Sequence, residues 1–356
     1  MFRVAITGDF LGPDGKPAYG DGLAQLLTRP LIQHHFLADQ IPAKDDADYW
    51  AKFYSLQLGP EHIAGANGIV VLRPGVTRAT FARGAGDLVV IGRSGAGYDK
   101  VDVQACTDND VALFTAPMAL NHPTASTALL FMLALAKKLS QQERITRQGR
   151  WDLQAEVMGD EIQGRTLGII GLGHSGRELV RLVAPFAMRV LAYSPSADPA
   201  EAGKLGVRLV ALDELLREAD FVSLHCRLTE QTRRLLGERE LRLMKPTAYL
   251  VNVARGPIVD QTALVAALRA KRIAGAGLDV FEVEPPPPDE PLLALDNVIV
   301  TPHWCGSTTD VWRGTGAAMA EGMLRVACGK LPDNVVNRDV LDRPGFRAKL
   351  ERFEKQ

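Results

Sequence analysis

Three short segments in the last third of the chain each place an ionisable residue beside a turn: Ala254-Arg255-Gly256-Pro257, Asp279-Val280-Phe281-Glu282-Val283-Glu284-Pro285 and Thr301-Pro302-His303-Trp304. Each follows an apolar, strand-like run, so the three can converge at the C-terminal edge of a parallel sheet, where open α/β sheets bind ligands. The residue types divide the labour of moving a proton on a substrate that carries a carboxylate. A guanidinium fork pairs with a carboxylate bidentately and polarises a neighbouring carbonyl better than a lysine does, which suits Arg255. An imidazole titrates near neutrality, so His303 can give or take a proton. A carboxylate against that ring stabilises its protonated form and fixes its orientation. Glu284 is the candidate, with Glu282 competing two residues earlier. Taken singly, such an arginine is more often in a surface ion pair and such a histidine more often structural.

Upstream, Thr166-Leu167-Gly168-Ile169-Ile170 reads as a buried strand running into Gly171-Leu172-Gly173-His174-Ser175-Gly176, which opens an amphipathic helix through Val180 and Leu182. Strand, glycine triplet and helix in this order form a dinucleotide fingerprint. Gly171 allows the tight turn, Gly173 lets backbone approach a pyrophosphate and Gly176 lets helix and strand pack closely. The helix N-terminus, with His174 and Ser175 in its first turn, offers N–H groups and a positive dipole end to phosphate.

These segments together resemble the D-isomer-specific 2-hydroxyacid dehydrogenase family. The resemblance rests on Gly168-Ile169-Ile170-Gly171-Leu172-Gly173, Ser223-Leu224-His225, Val251-Asn252-Val253-Ala254-Arg255-Gly256, Gly277-Leu278-Asp279-Val280-Phe281 and Asn297-Val298-Ile299-Val300-Thr301-Pro302-His303, in the family's order. It runs from about Thr115 to His303, with a looser match at Ile91-Gly92-Arg93-Ser94-Gly95-Ala96-Gly97-Tyr98-Asp99. It implies reversible hydride transfer between NAD or NADP and a 2-keto acid or D-2-hydroxy acid of the glyoxylate or hydroxypyruvate type, with Arg255, Glu284 and His303 catalytic. Glu284 occupies the family's carboxylate position. Asp279 matches the residue that hydrogen-bonds the nicotinamide carboxamide, the plainer reading being a turn cap. Cys226, Arg227 and Ala254 fall among the cofactor contacts. On the substrate side, Arg73 matches a polar position, although Pro74-Gly75 beside it also reads as a simple turn. Backbone N–H groups around Ser94, Gly95 and Ala96 suit a carboxylate. Two other activities stay open: oxidation of phosphite, whose enzymes keep the same catalytic types, and nucleotide-sensing corepression through protein binding. Glu284 disfavours formate oxidation, where the position is an amide.

The chain departs from the family's pattern in three places. After the second strand the position of the ribose-gripping acid reads Ala192-Tyr193-Ser194-Pro195-Ser196. Arg227 follows His225-Cys226 where a proline is usual, so Ser194, Ser196 and Arg227 are candidates to accept the 2′-phosphate of NADP. Ala125-Ser126-Thr127 lacks the customary acidic residue. Trp304 is bulkier than the usual aliphatic residue and either narrows the pocket or packs at a hinge.

With 356 residues the chain exceeds a single ordinary core, and two domains are expected. A net charge of −1 with scattered basic residues gives no case for nucleic acid or an anionic membrane. Met1 to Thr7 lacks a basic leader, and the longest apolar helical stretch, Ala125 to Ala136, is short of a span. Cys106, Cys226, Cys305 and Cys328 lack paired spacing, which implies reduced thiols, no metal site and a cytoplasmic location. Strand-like runs at Val4 to Ile6, Ile69 to Leu72, Leu88 to Ile91 and Val111 to Phe114 form one series. Leu167 to Ile170, Val190 to Tyr193, Phe221 to Leu224, Tyr249 to Val251, Ala276 to Asp279 and Val298 to Val300 form a second, of six. The expected fold is α/β, with two Rossmann-like doubly wound domains. A discontinuous substrate domain, 1–116 and 304–356, would carry an inserted NAD(P)-binding domain, 117–303. Long helices are read from about Thr124 to Gln148 and Ser307 to Cys328, and hinges near Pro117 and at His303 to Gly306. The run Pro285-Pro286-Pro287-Pro288 should stiffen an exposed loop. In relatives the helix preceding Trp151 builds a dimer interface, so a homodimer is expected.

Overall fold

Aliphatic and β-branched runs bounded by turn residues become strands buried on both faces, as parallel sheets covered by helices require. The computed structural model describes the chain except residues 13–14, 18–19 and 355–356. It contains two compact units, Met1–Leu120 with Ser307–Gln356, and Asn121–Gly306.

In the first unit, β1 (Phe2–Thr7), β2 (Ile32–Leu37), β3 (Gly68–Val71), β4 (Val90–Arg93) and β5 (Ala112–Thr115) form an all-parallel sheet in the order β2-β1-β3-β4-β5. The sequence series missed β2. Its Ile-Gln-His-His-Phe-Leu carries two histidines and buries only its ends, which an edge strand tolerates and a composition argument discounts. The third run also lies two residues later than expected, because Leu88 and Val89 lead into β4 rather than form it. Helix Thr309–Ala327, capped by Thr308 Oγ1 accepting from Val311 N at 3.2 Å, lies close to the reading of Ser307 to Cys328. It packs Met319, Met323 and Val326 into the core with Phe2, Val4 and Phe114.

In the second unit, β6 (Thr166–Ile170), β7 (Arg189–Tyr193), β8 (Val207–Leu209), β9 (Phe221–Leu224), β10 (Tyr249–Asn252), β11 (Gly275–Leu278) and β12 (Val298–Val300) stand in the order β12-β11-β10-β9-β6-β7-β8, all parallel. This is the dinucleotide-binding order with a seventh strand, and it reverses between β6 and β9. β12 is the strand beyond the usual six, and β8, absent from the sequence series, has three residues of which only the first is buried, too little pattern to read.

The long helix is two helices, Met118–Ala136 and Leu139–Arg147, broken where Lys138 adopts φ +50°. Nothing in Ala136-Lys137-Lys138-Leu139 lowers helix propensity, so the break is a tertiary effect. The first helix also begins before Pro123, on its N-terminal side, so its 19 residues are long and apolar enough to cross a membrane. That corrects the estimate from Ala125 to Ala136. Here Ala125, Ala128, Phe131, Met132 and Leu135 belong to one buried cluster with Leu167, Ile169 and Val251, the role of a core helix. Phe131 lies so close to β11 that a Cβ on Gly277 would stand 2.8 Å from its ring.

Candidate active site

Three neighbouring strands of the second unit, β10, β11 and β12, end beside one another and release the segments that carry Arg255, Asp279 and His303. Asn252, the last residue of β10 and 1% exposed, sets the first turn: its Oδ1 accepts from Ala254 N at 3.1 Å and its Nδ2 donates to Arg255 O at 3.0 Å. Gly256 then presses against the next segment. A Cβ there would lie 1.9 Å from both C and O of Phe281, a distance no side chain survives. Arg255 itself donates through Nη1 to Ala254 O at 2.7 Å.

Asp279, fully buried, organises the third segment. Its Oδ1 accepts from Thr301 Oγ1 at 2.5 Å and Trp304 N at 2.6 Å, and its Oδ2 accepts from Cys305 N at 3.0 Å. Its backbone carbonyl accepts from His303 N at 2.8 Å. The turn-cap role weighed from sequence is therefore present, and the carboxamide role must share an occupied carboxylate. His303 is held at φ +52°, a left-handed conformation that costs a non-glycine residue about 1–3 kcal/mol and persists only where its surroundings enforce it.

Glu284 answers the choice between the two glutamates. Its Oε2 lies 2.8 Å from His303 Nδ1, and its Oε1 accepts from Phe281 N at 3.1 Å. Glu282 turns away to Arg234, 3.3 Å distant. Burial pushes the Glu284 carboxyl up, but the His303 hydrogen bond and charge, the Phe281 N–H and the Arg255 charge outweigh it and hold the group below its ordinary value. An ionised carboxylate thus stands between a guanidinium's field and an imidazole. Cys305, buried beside Asp279, has its thiol pushed up by burial and is chemically quiet.

At the reversal between β6 and β9, Gly171 has φ +97°, and a Cβ on it would stand 2.6 Å from Cys226 N; a Cβ on Gly176 would stand 2.5 Å from Gly171 O. At Gly173 a Cβ would meet nothing within 4 Å, so bare backbone opens beside helix His174–Val183. This cradle fits a dinucleotide pyrophosphate. Ser194 follows β7. The nearest acid beyond it, Asp198, is spent capping a helix through Ala200 N at 2.7 Å, so the loop from Ser194 to Asp198 offers no uncommitted carboxylate for the ribose.

The Ser175 hydroxyl lies 3.1 Å from His225 Nδ1, while Ser223 Oγ lies 3.0 Å from Nε2. His225 thus ties the fingerprint helix to β9. In the sequence His225 stands out only as the end of Ser223-Leu224-His225. Burial holds its imidazole down at about 4, so the folded ring is neutral at pH 7. The unfolded chain binds a proton below about 6.5 that the folded chain refuses until about 4, so stability falls through that window as pH falls. Urea unfolding should show a loss of up to about 2 kcal/mol between pH 7 and pH 5, an upper bound because the residue keeps some exposed surface. His225→Asn should lose less over the same interval. An equal loss in both proteins would remove His225 as the cause. Glu284 acts in a separate window, its contribution disappearing only below about 4.5.

The remaining substrate-side candidates lie in the first unit. Arg73 is no plain turn residue: its N–H donates to Asp9 Oδ2 at 2.8 Å and its guanidinium lies over Phe53 and Tyr54, 5.1 and 5.8 Å from their centroids. Gly95 has φ +150°, and Ala96 is exposed. The Ser94 N–H is spent on Val71 O at 2.8 Å, which removes that amide from the expected anion loop; its hydroxyl is buried and unpartnered. Among the described residues no His, Cys, Asp or Glu group could hold a metal.

A doubly wound sheet with a glycine cradle and an Arg/Glu/His edge defines a nicotinamide-dependent oxidoreductase. The family model for "D-isomer specific 2-hydroxyacid dehydrogenase, NAD binding domain" matches residues 129–305. A glyoxylate reductase of Korarchaeum cryptofilum is 38% identical over 292 residues, 81% of this chain and 88% of that protein. A D-3-phosphoglycerate dehydrogenase of Methanocaldococcus jannaschii is 41% identical over 272 residues, 76% of this chain, which spans 51% of that longer protein. The crystal structure of a D-lactate dehydrogenase from Aquifex aeolicus, complexed with NAD and lactic acid, aligns with a TM-score of 0.78 at 25% identity, covering 94% of this chain and 99% of that one. The chain belongs to the D-isomer-specific 2-hydroxyacid dehydrogenase family. It is an NAD(P)-dependent oxidoreductase acting between 2-keto acids and D-2-hydroxy acids.

Proposed function

We propose that the chain reduces small 2-keto acids, glyoxylate foremost, with Arg255 holding the carboxylate and polarising the carbonyl, His303 donating the proton and Glu284 positioning His303. The observation that carries this is the 2.8 Å pairing of His303 Nδ1 with Glu284 Oε2 at the edge from which Arg255 also emerges. With Nδ1 so engaged, Nε2 is the nitrogen left to face a substrate oxygen. The nicotinamide, when bound, supplies the hydride. Gly171, Gly173 and Gly176 with the His174 and Ser175 amides would hold its pyrophosphate, and Ala254 and Asp279 would lie toward its ring. The unit Asn121–Gly306 is then the cofactor domain, and Arg73, Gly95 and Ala96 take the substrate-side roles that the family resemblance implies.

The missing acid after β7, with Ser194 and Ser196 in the loop there and Arg227 in the segment after β9, favours NADP. A homodimer is supported by Leu130, Leu139, Trp151 and Met158, each 45–71% exposed on the second unit; a monomer by light scattering would remove this element. The free thiols fit a reducing, cytoplasmic compartment.

A panel of glyoxylate, hydroxypyruvate, pyruvate and bulkier 2-keto acids, followed by nicotinamide absorbance, tests the reading. Glyoxylate should be consumed with NADPH favoured over NADH, and Arg227→Ala should erode that preference. Failure of every 2-keto acid refutes the enzymatic reading. A strong NADH preference, unchanged in Arg227→Ala, refutes only the choice of cofactor.

A further inference from the structure

The sheet of the first unit reverses between β1 and β3: β2 lies on one side of β1, and β3, β4 and β5 follow on the other. In open α/β sheets the crevice beyond the strand ends at such a reversal is where ligands lodge. Asp9, two residues past β1, and Arg73, two residues past β3, meet there. Asp9 Oδ2 accepts from Arg73 N at 2.8 Å and lies 3.5 Å from Arg73 Nη1. The Asp9 side chain is 0% exposed. Its Oδ1 accepts at 2.6 Å from Thr7 Oγ1, which in turn accepts from Leu72 N at 3.2 Å. Both carboxylate oxygens therefore accept; burial pushes the carboxyl up, while the Thr7 hydrogen bond and the Arg73 and Arg93 charges favour its ionised form.

A second guanidinium lies at the same edge. Arg93 ends β4, and its Nη1 donates to Ser94 O. It lies so close to the loop that a Cβ on Gly95 would stand 2.6 Å from Nη1. Directly after Arg93 comes Ser94, a residue 4% exposed whose hydroxyl has no partner in the protein. A buried polar atom without a partner at a ligand crevice is the mark of a group that an incoming molecule satisfies. Arg73 is further immobilised over the rings of Phe53 and Tyr54.

We propose that Asp9 sets the charge selectivity of this crevice. By neutralising one of the two guanidiniums it leaves a single net positive charge, so the site accepts 2-keto acids with one anionic group and disfavours those with a second carboxylate or a phosphate. This rests on the substrate-side role given above to Arg73 and the loop at Gly95, and it makes Asp9 a specificity-determining residue that need not touch the substrate. A fixed charge within hydrogen-bonding distance of a partly buried guanidinium outweighs the screened surface charges around it.

The test compares oxaloacetate with 4-methyl-2-oxopentanoate, which has nearly the same shape and lacks the second charge. Dissociation constants are read by tryptophan fluorescence, which needs no turnover, with the cofactor present. The wild type should favour the monoanion. Asp9→Asn should move the ratio of dissociation constants toward oxaloacetate by about tenfold or more, and Arg73→Gln should move it the other way. Should Asp9→Asn fail to fold, Arg73→Gln and the doubly neutral Asp9→Asn/Arg73→Gln protein carry the test, the latter returning to the wild-type ratio. A ratio unchanged within about twofold in whichever single variant folds overturns the proposal, as does the absence of saturable binding. Failure of the wild type to reduce glyoxylate would instead refute the proposed activity while leaving this ratio measurable.

Discussion

His303→Gln should lower kcat for glyoxylate reduction by about 10² to 10⁴-fold while leaving NAD(P)H binding within about twofold of wild type. Glutamine keeps a hydrogen-bonding end but cannot carry a transferable proton at neutral pH. The loss belongs to the proton-transfer step, since His303 lies at the end of β12 and the cofactor cradle at the β6–β9 reversal. Glu284→Gln should cost less, because it removes the charge that stabilises and orients the ring and leaves the ring in place. Steady-state kinetics of both variants, with fluorescence titration of NADPH, check the pair. A large rise in the cofactor dissociation constant in His303→Gln would show that the residue acts structurally.

Gly256→Ala should be nearly as damaging through a different cause. Its methyl would have to occupy the space of the Phe281 carbonyl, so the 281–282 peptide must move. Forced overpacking of this kind costs about 1–3 kcal/mol. The displacement is handed on directly, because Phe281 N holds Glu284 Oε1 and Glu284 Oε2 holds His303. A misplacement of about 1 Å in such a constellation is worth about 10²-fold in rate. Gly173→Ala is the control: a Cβ there meets no protein atom within 4 Å, so stability should hold and only cofactor affinity should fall. Thermal unfolding and kinetics of the two alanine variants separate the mechanisms. Wild-type kcat in Gly256→Ala would mean that the contact relaxes without disturbing Glu284.

What the sequence made legible follows from how local each signal is. A buried parallel strand is a continuous apolar run, so β6, β9, β10 and β11 were readable, each buried along its length. The edge strand β2 and the three-residue β8 were not, since half-exposed strands carry no such run. The break at Lys138 was invisible because it arises from packing. Chemistry-bearing residues announced themselves by type and by position after a strand, which is why Arg255, Glu284 and His303 stand out. Hydrogen-bond partners did not. That Glu284 and not Glu282 meets the histidine, that the Ser175 hydroxyl meets His225, and that Asn252 and Thr301 brace the turns all depend on tertiary placement. A sequence hint existed for Asn252, a polar residue closing an otherwise apolar strand, where a buried amide needs partners for each of its groups.

If Glu284 works through His303, imidazole and carboxylate form one unit near the Arg255 charge. A double-mutant cycle measures this directly: kcat/KM for glyoxylate in wild type, Glu284→Gln, His303→Gln and the double variant. If the two form a unit, the double variant is no slower than His303→Gln alone. Losses that multiply would show two independent groups and contradict the account.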